Sequence, residues 1–217
     1  MMNGTIQRSE AETAFSLFGK PTADYRGKPF WSWNGKLDKE EALRQIRVLK
    51  EMGFGGFFMH SRTGLSTEYM GEEWFEFINL CADEAERLGM EAWLYDEDRW
   101  PSGTAGGLVT ADPRYRLKFI RLRVVPAAEF RAGGRPLARF ACRLNGLAYS
   151  GLRPLDADAG EAPLAEDECV LEFTIEEQAS QSFYNGYTYL DTMNAEAVER
   201  FLELTHEQYK RHSGSRF

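Results

Sequence analysis

The sequence predicts an α/β protein: a partial (β/α)8 barrel of about four βα units, interrupted by an inserted antiparallel β subdomain. Three observations predict it. Beginning near residue 29, strand–loop–helix passages of roughly 30–35 residues follow one another, the grammar of βαβ units and a parallel sheet. Between about Leu117 and Ser182 that grammar gives way to alternating, β-rich segments without a long helix. After them, GYTYLDTMN and an amphipathic helical stretch resume the α/β pattern.

The elements follow in order. Residues 1–28 are a polar lead-in with one helical stretch, AETAFSLFG. PFWSWNG reads as a strand running into an Asn34-Gly35 turn. LDKEEALRQIRVLKEMG reads as a helix. Asp38 caps it, Glu41 stands at capping-box spacing, and Gly53 stops it, with Leu43, Ile46, Leu49 and Met52 at helical period. GFGGFFMHS is a short apolar run without alternation, as in a parallel strand buried on both faces. A loop and a helix from about Glu72 to Leu88 follow, with Trp74, Ile78, Cys81, Ala85 and Leu88 on one side. MEAWLYDED is a third strand ending in carboxylates. Residues 29–116 thus hold three βα units, and 117–186 the β insertion (KFIRLRVVPA, ARFACRLNG, ECVLEFTIEE). Residues 187–217 form a fourth unit, whose helix is capped by Asn194 and carries Val198, Phe201, Leu202, Thr205 and Tyr209.

Composition narrows the function. The chain has 217 residues, 26 basic and 34 acidic, for a formal charge of −8. The acidic balance argues against nucleic acid, whose phosphates need a basic face. No apolar run reaches the ~18 residues of a membrane span, and the N-terminus lacks the profile of a secretory signal. Cys81, Cys142 and Cys169 are scattered and odd in number. That pattern speaks against a disulfide framework or zinc site and for a reducing cytoplasm. A full barrel typically needs ~250 residues. The expectation is therefore the N-terminal part of a longer polypeptide, or a module completed by another chain.

In parallel α/β architectures the chemistry sits at the C-terminal ends of strands. That rule selects Trp31, Ser32, Trp33 and Asn34; His60, Ser61 and Arg62; Asp96, Glu97, Asp98, Arg99 and Trp100; and Asp191 with Asn194. Carboxylates with aromatic rings suit carbohydrate, whose hydroxyls pair with Asp, Glu, Asn and Arg and whose C–H faces stack on indoles. Crowded carboxylates also push one pKa up, as a general acid requires. Plainer readings stand beside this one: a solvated acidic turn, packing roles for Trp93 and Trp100, and a structural histidine at 60. A metal-dependent hydrolase using His60 and Asp96 is a further alternative, although EF-hand and HExxH spacings are absent.

The runs FWSWNGKLDKEEALRQI, GFGGFFMHSRTGL, LYDEDRWPSG and YLDTMNAEAVERFLELTHEQY, in this order, resemble the N-terminal part of the catalytic region of glycoside hydrolase family 106, the α-L-rhamnosidase-like glycosidases. The resemblance covers about residues 29–112 and 187–212. It implies a (β/α)8 barrel with a β region inserted after its third strand, and hydrolysis of terminal α-L-rhamnosyl or related linkages. By motif position it implies that Glu97 is one of two catalytic carboxylates. Trp33, Asn34, His60, Arg62, Asp96, Asp98, Arg99, Trp100 and Asp191 then bind or orient the sugar. It implies calcium in some members, with no ligands assigned here. The second catalytic acid, expected in a stretch of the form F-x-D-E-P, does not occur, so the expected state is an inactive half-site. The competing reading is a non-catalytic carbohydrate-binding or scaffold module.

Overall fold

The computed structural model describes residues 15–98, 100–155 and 163–217. The chain divides into two compact units: Met1–Tyr115 with Gln181–Phe217, and Arg116–Ser180.

In the first unit β1 (Phe30–Trp33), β2 (Gly56–Ser61) and β3 (Glu91–Leu94) form a parallel sheet in the order β1-β2-β3. Its register pairs Phe30 with Phe58, Ser32 with His60 and Met59 with Leu94. The crossovers are α1 (Lys39–Glu51) and α2 (Glu72–Arg87). α1 begins where the Glu41 N–H donates to the Asp38 carboxylate at 2.8 Å, which satisfies one orphan donor of the first turn. It buries Ala42 and Ile46. Met52, expected on the same stripe, is 67% exposed, because it caps the helix rather than continuing it. α2 buries Trp74, Phe75, Phe77, Ile78, Cys81 and Ala85.

Strand side chains alternate between faces. Trp31, Trp33, Phe57 and Met59 turn to the helix side, where they share a core with Ile46, Trp74, Phe77 and Cys81. Gly56 lies where β2 meets β3: a Cβ there would stand 2.3 Å from the Glu91 carbonyl oxygen, so only glycine permits this strand spacing. On the other face Phe30, Phe58 and Trp93 form an aromatic row, with ring centroids 5.9 and 5.5 Å apart. That row is only half covered, Phe30 being 48% and Trp93 47% exposed.

The expected fourth strand is a correction. Residues 187–191 join neither sheet, and Tyr187 bridges back to Gln181 instead. Their backbone donors and acceptors are used elsewhere: Gln181 N–H donates to Tyr187 O and Asp191 N–H to Tyr115 O, each at 2.8 Å. Leu190 instead packs with Ala105, Val109, Ala197 and Phe201 in a second small core. The parallel sheet of the described residues therefore has three strands, one fewer than expected. The terminal helix is also two pieces, α3 (Ala195–Leu204) and α4 (His206–Ser213). They part at Thr205, whose hydroxyl donates to the Phe201 carbonyl at 2.7 Å, a back-bond that bends helices. Ala197, Phe201, Thr205 and Tyr209 are buried, whereas Val198 and Leu202, expected on that stripe, are exposed.

The second unit is an antiparallel sheet of β4 (Lys118–Pro126), β5 (Ala138–Asn145), β6 (Ala148–Pro154) and β7 (Cys169–Glu177), ordered β4-β7-β5-β6. One face carries cross-strand ion pairs, Arg121–Glu176 at 2.5 Å and Arg139–Glu172 at 2.6 Å among them. The other is apolar, with Ile120 opposite Ile175, Leu122 opposite Phe173 and Val124 opposite Leu171.

Candidate functional site

The C-terminal ends of β2 and β3 lie side by side because the two strands pair in parallel. β2 ends in His60 and Ser61, and the chain past β3 continues through Tyr95, Asp96, Glu97 and Asp98. His60 shares its face with the aromatic row, since it lies two residues beyond Phe58. Its ring sits against Phe30 and Tyr95, with centroids 4.4 and 4.5 Å away. It is 2% exposed, and among the described residues its Nδ1 has no hydrogen-bond partner. Burial and the nearby Arg62 charge push its pKa down to about 4, against the opposite pull of Asp98. At neutral pH the imidazole is therefore uncharged.

The Glu97 carboxylate faces it, 3.8 Å from Nε2, and is 3% exposed. Burial holds this carboxyl above the usual carboxylate range, and the Asp96 charge adds to the effect. A Tyr95 hydrogen bond and the Arg62 charge pull the other way. Asp98 is anchored. Ser61 Oγ donates to its Oδ1, and Asn185 Nδ2 donates to its Oδ2 at 2.7 Å and to the Gly106 carbonyl at 2.9 Å. Asn185 adopts a left-handed conformation, φ 54°, which Asn tolerates better than most residues. Together His60, Ser61, Arg62, Thr63, Glu97, Asp98, Trp100 and Phe183 line a cleft of about 80 Å³. Pockets for drug-sized ligands run to about 300–1,000 Å³, so this cleft accepts only a few atoms. Trp100 is 66% exposed at its rim.

Of the residues expected from sequence, His60, Arg62, Glu97, Asp98 and Trp100 meet here. Trp33 does not. It alternates away from Ser32 into the helix-side core, its ring 5.3 Å from Trp74 and 5.1 Å from Phe77. Asn34 borders a separate groove with Ser32, Lys36 and Gln45. Asp96 turns from the cleft: Ser102 Oγ donates to it at 2.7 Å and His206 Nε2 lies 3.6 Å away. Asp191 serves a turn, accepting the Met193 N–H at 3.1 Å just before the Asn194 cap of α3. Arg99 lies outside the described residues. The sequence reading missed Tyr95, Phe183 and Asn185. Tyr95 could have been found, because it repeats the parity of Trp93. Nothing local marks Phe183 or Asn185; Asn185 reaches Asp98 from 87 residues downstream.

A calcium ion wants about six to eight oxygen ligands. Among the described residues no group of three His, Cys, Asp or Glu side chains converges to hold a metal. No helix among them is long and apolar enough to cross a membrane.

No family profile matches the chain, and no curated protein matches it. Among solved structures it is similar to a rhamnosidase from Novosphingobium sp. PP1Y, with 19% identity over 59% of this chain and a TM-score of 0.37. The matched part spans 14% of that protein's length.

Proposed function

We propose that the cleft at the ends of β2 and β3 is the acid side of a glycoside hydrolase site for terminal α-L-rhamnosyl or related linkages. In this reading the parallel sheet is a segment of a (β/α)8 barrel. Glu97 carries it: a buried carboxyl, held above the usual range, facing an uncharged imidazole in a cleft at the strand ends. A carboxyl kept protonated can hand its proton to a departing glycosidic oxygen. Arg62 and Asp98 offer a cation and an anchored acceptor to sugar hydroxyls, and Trp100 offers an exposed ring to a C–H face. His60 Nδ1, without a partner among the described residues, is a further polar contact for a hydroxyl. The half-covered apolar face of Phe30, Phe58 and Trp93 is compatible with a barrel, whose interior is a packed core of inward-facing side chains. The motif resemblance names the sugar.

Glycoside cleavage needs a second carboxyl across the bond. Asp98 is already held by Ser61 and Asn185, so that group comes from outside the cleft. The 217-residue chain is expected to bind sugar without turning it over. In a polypeptide joining this chain to its second carboxylate, Glu97→Gln should lower kcat about 10²–10⁴-fold on alkyl rhamnosides. The loss should be smaller on nitrophenyl rhamnosides, whose leaving group needs no proton. Equal losses on both substrates would remove Glu97 as the acid. The alternative, sugar binding without catalysis, is favoured by the committed state of Asp98. It predicts saturable rhamnose binding and no turnover in any context.

A further inference from the structure

We propose that Cys142 and Cys169 form a redox-sensitive dithiol, a modification site that reacts with a low-molecular-weight disulfide such as glutathione disulfide and closes into a cross-strand disulfide. The two residues stand directly opposite one another at the end of the β5–β7 ladder. Their sulfurs are 3.8 Å apart, and Cys169 Sγ also lies 3.5 Å from the Cys142 carbonyl oxygen. A disulfide bond is about 2.05 Å long and wants Cβ atoms about 3.5–4.5 Å apart. Directly opposite strand residues already hold theirs about 4.5–5.5 Å apart. Rotation about χ1 and a slight approach of the strands complete the bond. Cys81 has no such opportunity, being buried in the aromatic core of the first unit.

Accessibility sets the order of events. Cys142 is fully buried and Cys169 is half-buried, so Cys169 meets the reagent first. Its thiolate attacks one sulfur of glutathione disulfide, forming a mixed disulfide and expelling one glutathione thiolate, which takes up the proton Cys169 lost. The Cys142 thiolate then attacks Cys169 Sγ, and the second glutathione leaves with the Cys142 proton. The protein pair is oxidised by two electrons and the glutathione disulfide is reduced to two thiols. Burial and the neighbouring Cys142 thiol push the Cys169 thiol up, which makes the first attack slow. The bond joins positions 142 and 169, so it restricts the unfolded chain and favours the folded sheet.

The test incubates the folded 217-residue chain with graded mixtures of reduced and oxidised glutathione at mildly alkaline pH. Free thiols are then trapped with iodoacetamide before intact-mass and peptide analysis. The expected result is a Cys142–Cys169 cross-linked peptide, loss of two hydrogens from the intact mass, and a higher unfolding midpoint than under dithiothreitol. Cys81→Ser should leave this unchanged. Cys142→Ser, or Cys142→Ala should the serine variant fold poorly by circular dichroism, should stop at one glutathione on Cys169. Wild-type protein that also stops at that mixed disulfide would overturn the proposal. So would thiols that stay reduced in the folded chain under mixtures that cross-link the urea-unfolded chain.

Discussion

Glu97 and His60 face each other at 3.8 Å, yet burial pushes both toward their neutral forms. The imidazole has the clearer consequence for stability. Its pKa of about 4 in the fold lies below the ~6.5 of an unfolded chain. The unfolded state therefore binds the proton first as pH falls. Native stability is complete above pH ~6.5 and declines between there and pH ~4, by about 1–3 kcal/mol. Urea unfolding midpoints across that window should show the decline in the wild type and a flatter profile in His60→Gln, which has no proton to gain. Parity explains which residues reach the cleft. Ser32 pairs with His60, so Trp33 must point the other way, and its indole was never available to a ligand at this mouth. Reading the strand-end rule together with parity would have excluded Trp33 and admitted Tyr95. Asp96 and Asp191 escape both rules, since their partners, Ser102, His206 and the Met193 amide, are set by where loops fold.

At the scale of elements, the Glu84 carboxylate ties α1 to α2. Glu84 on α2 accepts from Arg87 of its own helix at 2.7 and 2.8 Å and from Arg47 of α1 at 2.8 Å. Hydrogen bonds from Arg87 and then Arg47 hold its pKa down to about 2. The folded value lies below the unfolded one. The contribution is thus present above pH ~4.5 and lost as pH falls toward 2. Both arginines are more than half exposed, so solvent screening keeps the effect modest, and Glu84→Gln should cost about 1 kcal/mol at neutral pH. Thermal unfolding checks it, and an unchanged midpoint would show that the pair is solvated. The caps at Asp38 and Asn194 were legible because capping is local. The break at Thr205 was not, because the helical period runs smoothly through it while a single hydroxyl competes for the backbone.

For the first unit as a whole, the decisive feature is a parallel sheet with helices on one face and a half-exposed aromatic row on the other. Exposed apolar patches bind reporter dyes. The chain should enhance 8-anilinonaphthalene sulfonate fluorescence in its folded state, and Trp93→Gln should reduce that enhancement with little change in unfolding midpoint. A wild type silent toward the dye would mean that the row is covered. Sequence by itself determined the three parallel strands and the two helices between them, the antiparallel segment that follows, and the gathering of His60, Arg62, Glu97, Asp98 and Trp100 at strand ends, because these follow from period, capping and turn chemistry along neighbouring residues. Tertiary structure alone decided that residues 187–191 pack on Ala105 and Val109 instead of joining the sheet. It alone brought Asn185 onto Asp98 and set Cys142 opposite Cys169. Each of those pairings depends on which distant backbone and side-chain groups satisfy one another, and no local pattern encodes that choice.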